Sequence, residues 1–331
     1  MAIDLMALEP QKISRDLKGK MALVFGDPKC GKTTLASELD KVLIASFEPG
    51  TNALNNVLVQ PILKWTDWKI VVKQLVRKKD ELQNKIHIIA IDTVDEAYKL
   101  CEKYICDQNG IEKIKDIPYG GGYKLLDDEF SSTLREIAFA GYGLFFISHA
   151  KEKTIEEKGV EHTKVVPALA DRPFNIVNKM VDIIAYLKQV PVEQREDGSF
   201  VRKRYLFLRE TDDFYAGSRF KYIVPKVELS YENLVKAIYD AIDAEIEHTT
   251  GKNTENLETN IAPNPYYQKS FDDMMDEAKT LWGKVIQRDL QGKAAEILDK
   301  EFGKPTKFSE ILPEQIDKLS KVLFEVKTLL E

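Results

Sequence analysis

The run Gly26-Asp27-Pro28-Lys29-Cys30-Gly31-Lys32-Thr33 constrains this chain more than any other segment. It satisfies G-x-x-x-x-G-K-[ST], follows the apolar run MALVFG (Met21 to Gly26), and precedes a helical segment, Thr34 to Leu39. In that context the glycines let the backbone fold around an anion with successive N–H groups turned inward. The helix start that follows adds partial positive charge. Lys32 is placed to reach β- and γ-phosphates as a point charge, and Thr33 to offer its hydroxyl to Mg²⁺. The expected phosphate-binding set is Gly26, Asp27, Pro28, Lys29, Cys30, Gly31, Lys32, Thr33 and Thr34. Cys30 fills a variable position and reads as a small residue rather than a redox group.

A loop of this kind needs a strand behind it, and the sequence supplies several. MALVFG, KVLIASFE (Lys41 to Glu48), IHIIAID (Ile86 to Asp92) and GLFFISH (Gly143 to His149) are short, nearly continuous apolar runs. Such runs suit strands covered on both faces of a parallel sheet. Helix-period segments lie between them at Lys32 to Asp40, Asp67 to Asn84, Val94 to Gln108 and Tyr123 to Ala140. The alternation predicts an α/β fold with right-handed crossovers.

Beyond His149 the pattern changes. KEKTIEEKGVEHTK has mixed charge and no period, and reads as a long exposed loop. VDIIAYL and RYLFLRE flank Asp197-Gly198 and predict an antiparallel hairpin. A helix from about Tyr231 to Glu247 closes the domain. The polar stretch HTTGKNTENLETNIAPNPYYQ reads as a linker. From Phe271 to Glu331 the chain is charged, helical in period and broken at Gly303-Lys304-Pro305. The expected organisation is a 1–247 nucleotide-binding domain, a 248–268 linker and a 269–331 helical module.

Composition removes several classes. A 44% hydrophobic content supports a packed core rather than a disordered chain. A net charge of −6 argues against adhesion to DNA or membrane by bulk charge, while leaving room for a local basic groove. Three cysteines, Cys30, Cys101 and Cys106, are too few for a disulfide scaffold and lack paired zinc spacing. The start, MAIDLMALEPQKISRD, has no basic segment leading into an apolar one, and no window approaches the ~20 apolar residues of a membrane span. The expectation is a soluble protein of a reducing compartment.

Two further groups are needed for phosphate chemistry: a metal carboxylate and a residue that orients water. Asp92 ends an apolar strand and is read as the Walker B acid holding Mg²⁺, rather than as a plain cap on the next helix. Asp95 reads as a first-turn charge. Glu48 and His149 end two other strands, and the carboxyl ends of strands are where an open α/β sheet binds ligands. His149 is either a sensor of the nucleotide or a satisfied structural residue. His87, His162 and His248 have no comparable setting.

Taken in order, GDPKCGKTT, LIASFEPG, IHIIAIDT and LFFISHA resemble the motifs of RecA-like ATPases, specifically a phage group related to RecA and Rad-type recombinases. The resemblance spans about Ile13 to Val227. It implies a RecA-like P-loop NTPase core with a mostly parallel sheet flanked by helices, using ATP and Mg²⁺. It implies Glu48 as the glutamate that primes water, Asp92 as the metal carboxylate and His149 as the γ-phosphate sensor. PYGGGYKLLDDEF (Pro118 to Phe130) is similar to a segment of the phage group. FYAGSRFKY resembles the region that reaches a neighbouring subunit's nucleotide, which implies a trans role for Arg219, assisted by Lys221. The loop after His149 would face DNA, and the C-terminal module resembles helical appendages of phage recombination proteins.

The leading expectation is therefore a DNA-stimulated ATPase of phage recombination or replication in the host cytoplasm. It would form a homo-oligomeric ring or filament on single-stranded DNA and promote annealing or strand pairing. Arg195, Arg202, Lys203, Arg204 and Arg209, with Tyr205 and Phe207 interleaved, would form either a basic stripe or a charged edge strand. Two alternatives stand beside it. One is a nucleotide-dependent loader or switch that binds replication proteins through the C-terminal module. The other is a small-molecule kinase, which the lack of an arginine-rich lid disfavours.

Overall fold

In the computed structural model, which describes residues 17–157, 160–195, 198–250, 271–303, 307–312 and 315–330, the apolar runs form the strands of one twisted sheet. Strands β1 (Met21–Gly26), β2 (Val42–Ser46), β4 (Ile88–Asp92) and β5 (Gly143–Glu157) match the four runs of the sequence. Strand β3 (Leu58–Pro61) joins β2 in parallel at one edge. Strands β7 (Ile183–Gln194), β8 (Phe200–Phe207) and β10 (Lys226–Glu228) extend the other side, giving the order β10-β8-β7-β1-β5-β4-β2-β3. From β7 to β3 all neighbours run parallel. The two strands that carry the glycine loop and Asp92 are thus separated by β5.

Both faces of the sheet are covered, which is why its central strands lack alternation. Leu23 and Phe25 of β1, Ile89 and Ile91 of β4, and Leu144 and Phe146 of β5 pack on one face. They meet α2 (Trp65–Arg77), α4 (Val94–Asn109) and α5 (Gly121–Phe139), led by Trp65, Trp68, Cys101 and Phe130. Each fully buried large apolar side chain of this kind stabilises the fold by about 1.5–3 kcal/mol. Val24, Ala90 and Ile147 face the other way, toward α1 (Lys32–Ser37) and α7 (Tyr231–Thr250). A short α3 (Lys79–Leu82) follows α2, and α6 (Asp171–Met180) leads into β7.

One expectation fails here. The polar stretch after His149 is not a loop: β5 continues to Glu157 and pairs antiparallel with β6 (Val160–Pro167). Mixed charges on both faces erase the two-residue period, so the strand leaves no hydropathy signal. Backbone pairing and side-chain ion pairs hold it instead. Lys153 and Lys164 lie opposite one another, but Lys153 pairs with Asp171 at 3.0 Å and Lys164 with Glu210 at 2.6 Å. Lys158, placed in that loop by the sequence, lies outside the described residues. The β7–β8 hairpin forms as predicted, although Asp197 of its turn lies outside them too. A two-residue β9 (Gly217–Ser218) pairs with β7.

The chain divides into two compact units. The second contains α8 (Phe271–Gln287), α9 (Gln291–Phe302) and α10 (Ile316–Leu330), packed around Ala278, Val285, Leu298, Leu319 and Val322. Helix α9 ends at Gly303, whose φ of 71° suits a left-handed cap. Lys304 and Pro305 of the expected break, and most of the polar linker, are outside the described residues. No helix among the described residues is long and apolar enough to cross a membrane.

Candidate functional site

The register of the sheet assembles the site. Gly26, the last residue of β1, lies level with His149 of β5 and Leu187 of β7. Asp92 ends β4 beside Ser46, the last residue of β2. The carboxyl ends of β1, β2 and β4, level with the middle of β5, therefore bring residues 26–34, 48, 92 and 149 to one edge. β5 and β7 both run on past this level, so two hairpin arms flank the glycine loop.

The loop leaves β1 at a glycine for a steric reason. A Cβ on Gly26 would stand 2.4 Å from the Leu187 carbonyl oxygen, closer than any side chain tolerates. At Gly31 the backbone takes φ 111°, which strains any L side chain. Asp27, Pro28, Lys29 and Thr34 are exposed, whereas Cys30 and Lys32 are buried. The Lys32 ammonium donates to the carbonyls of Gly26 and Asp27, both at 2.8 Å. Burial pushes the Cys30 thiol up, against the pull of Lys32, so it stays protonated and serves packing.

Thr33 Oγ1 donates to Asp92 Oδ2 at 2.8 Å. The hydroxyl and carboxylate expected at Mg²⁺ are thus already neighbours. Burial raises the Asp92 carboxyl above the ordinary range, opposed by the Thr33 hydrogen bond and reinforced by the negative charge of Glu48. Glu48 sits two residues past the end of β2. The Phe47 N–H donates to the Asp92 carbonyl at 2.7 Å and the Ser46 hydroxyl to the Glu48 carbonyl at 2.7 Å, fixing the turn that presents it.

The Glu48 carboxylate has two partners. The Thr93 hydroxyl donates to Oε1. His149 Nε2 lies 3.3 Å from Oε1 and 3.4 Å from Oε2. Among the described residues, the buried His149 Nδ1 has no hydrogen-bond partner. A carboxylate only accepts, so in this contact Nε2 is the donor to Glu48.

Two of these contributors were not apparent in the sequence. Thr93 carries no signal beyond following Asp92. Asp95, read as a first-turn charge, is instead half-buried against β5: Oδ1 accepts from the Ser148 hydroxyl at 2.7 Å and Oδ2 from the His149 N–H at 2.9 Å. Burial raises its carboxyl as well. It fixes the part of β5 that carries His149.

Arg219 stands apart from this group. Its guanidinium pairs with Asp182 Oδ1 at 3.1 Å and donates to the Lys179 carbonyl at 2.6 Å. Asp182 Oδ2 in turn accepts from the N–H of Met21, the first residue of β1. Arg219 therefore lies at the opposite end of β1 from its own glycine loop. Arg209, one of the basic group around the hairpin, is also committed, donating to the carbonyls of Phe220, Lys221 and Ile223.

Residues 18–220 match the AAA domain family. Over 332 aligned positions the sequence is 31% identical to the SPbeta prophage-derived uncharacterized protein YorG of Bacillus subtilis (strain 168), covering all of this chain and 99% of that protein. A glycine loop on the central strand, a strand-end aspartate bonded to the loop threonine, and a family match across most of the sheet agree: the chain belongs to the AAA domain family of P-loop proteins.

Proposed function

We propose that this protein is a Mg²⁺-dependent ATP hydrolase of phage DNA recombination or replication, which oligomerises on single-stranded DNA to promote annealing or strand pairing. The likeness to a prophage-derived protein supports the phage setting. The observation that carries hydrolysis is the Glu48 carboxylate, held by Thr93 and His149 at the strand edge that carries Asp92 and Thr33. A binding-only site would need the loop and the metal oxygens but not this third group. Glu48 would accept the proton of an attacking water, and His149 would sense the γ-phosphate through the same contact.

Mg²⁺ fits the donors: a hydroxyl and a carboxylate, both hard oxygens, with the remaining positions left to phosphates and water. Among the described residues no group of three His, Cys, Asp or Glu forms a metal cage, so the ion would arrive with the nucleotide. When bound it would neutralise charge on the β- and γ-phosphate oxygens. Lys32 would exchange its two loop carbonyls for those phosphates. Arg219, 57% exposed at the far end of β1, would serve a neighbouring copy's nucleotide rather than its own.

Arg195 and Arg202 on the β7–β8 arm, with the β5–β6 arm opposite, would contact single-stranded DNA. A loader or switch for replication proteins is the second reading, supported by a C-terminal unit with its own core. ATP turnover with Mg²⁺, measured with and without single-stranded DNA alongside solution size, tests the proposal. Stimulated turnover in a large assembly is expected. Unstimulated turnover in a monomer would favour the second reading, and no turnover would overturn both.

A further inference from the structure

Arg204 lies on β8, opposite Gln189, two residues beyond the level at which Leu187 meets Gly26. Strand alternation puts it on the same face as Leu206, which packs in the core of α1 and α7. Its side chain therefore turns toward the glycine loop. Nη1 donates to the Cys30 carbonyl at 3.4 Å. A Cβ on Gly31 would stand 2.8 Å from Nη1 and 3.7 Å from Cζ, so the guanidinium rests on the loop's second glycine. The Arg204 carbonyl accepts from Leu229 N–H at 2.8 Å, and Leu229 Cδ2 would stand 3.2 Å from the same Cβ.

The adjacent cation on β8, Lys203, is engaged with Glu228 at 2.9 Å. Arg204 has one long hydrogen bond to a neutral carbonyl and, among the described residues, no carboxylate within ion-pair distance. A guanidinium carries five donors in a planar fork suited to phosphate oxygens. Here that fork is held next to a loop whose charge logic is to receive an anion. A stripe residue meant for DNA would gain nothing from lying on Gly31.

We infer that Arg204 is a nucleotide contact in cis: its guanidinium moves from the Cys30 carbonyl to a phosphate oxygen of the bound nucleotide, tying the β7–β8 arm to the state of the site. This inference rests on ATP binding at the loop. It also removes Arg204 from the basic stripe, leaving Arg195 and Arg202 there.

The test uses the full chain with Mg²⁺, measuring ATP affinity by calorimetry and ATP-dependent hydrogen exchange of β8. Arg204→Ala should weaken ATP binding about tenfold or more, Arg204→Lys by less, and the surface control Lys236→Ala not at all. ATP should protect the amides of β8 in the wild type but not in Arg204→Ala. Thermal melts of the variants separate loss of contact from loss of fold, and Arg204→Gln serves if the alanine variant is unstable. Equal affinity and equal protection in folded Arg204 variants would overturn the inference while leaving the ATP reading intact. A wild-type protein that binds no ATP would overturn that reading, and the inference with it.

Discussion

His149 Nε2 stands 3.3 Å from Glu48 Oε1, although 101 residues separate them in the chain. Neither residue lies in the glycine loop: Glu48 follows the end of β2 by two residues, and His149 is the last residue of β5 paired with β1. If Glu48 is the general base, Glu48→Gln should retain ATP binding and lose turnover by the 10²–10⁴ typical of such a group. Nucleotide titration and steady-state turnover on one preparation check this. Full turnover in the glutamine variant would move the role elsewhere, with His149 next.

Thr93 tests whether the carboxylate needs its present orientation. Thr93→Val removes the hydroxyl that donates to Glu48 and keeps the branched shape of a 2%-exposed side chain. The expected result is a fall in kcat of about tenfold with ATP affinity unchanged, as for a mispositioned catalytic group. A parallel loss of affinity would instead place Thr93 in the binding of nucleotide.

Asp92 carries a conflict between stability and metal binding. Burial raises its carboxyl, so just above the ordinary carboxylate range the folded protein keeps a proton that the unfolded chain has released. Stability from this group is therefore greatest at low pH and falls as pH rises through that window. Asp92→Asn keeps an oxygen acceptor for Thr33 and removes the buried charge. It should melt higher than wild type at neutral pH while requiring far more Mg²⁺ for ATP binding. A lower melting temperature at neutral pH would show that the charge is compensated.

The loop, its strand and the apolar runs that lead to residues 48, 92 and 149 were legible because each rests on composition over a short window. A glycine-lysine-threonine turn and a run such as IHIIAID need no tertiary information. The β5–β6 hairpin was not legible, because charged residues are mixed along both of its faces and leave no two-residue hydropathy period, and its pairing is a long-range feature. Nor was the engagement of Asp95 with β5, since an acid in a first helical turn looks the same whether it faces solvent or receives a neighbouring strand's N–H. Arg204 was visible as one of several basic residues, but its position on Gly31 follows from the register of β8.

Gly26 allows a test of the scaffold itself. Gly26→Ala would press a methyl against the Leu187 carbonyl, which belongs to a paired strand and cannot rotate away. Forced repacking of this kind costs typically about 1–3 kcal/mol. The expected outcome is a measurably lower melting temperature together with lost ATP affinity. Unchanged stability would mean that β1 and β7 separate more easily than their pairing suggests.

Arg219 decides between a local clamp and a role across a subunit boundary. The ion pair with Asp182 is exposed on the arginine side, and such pairs contribute only about 0–1 kcal/mol. Arg219→Ala should therefore fold, with a small loss of stability whichever role is correct. The readout that separates the roles is complementation with Lys32→Ala, whose loop lacks the ammonium now bound to the Gly26 and Asp27 carbonyls. Each variant alone should turn over ATP slowly. In a head-to-tail assembly, mixing them creates some interfaces with an intact loop on one copy and an intact arginine on the next. Partial recovery of turnover on mixing, growing with total concentration, is the expected result. No recovery in mixtures that demonstrably co-assemble would reduce Arg219 to a clamp between β7 and the segment that follows β9.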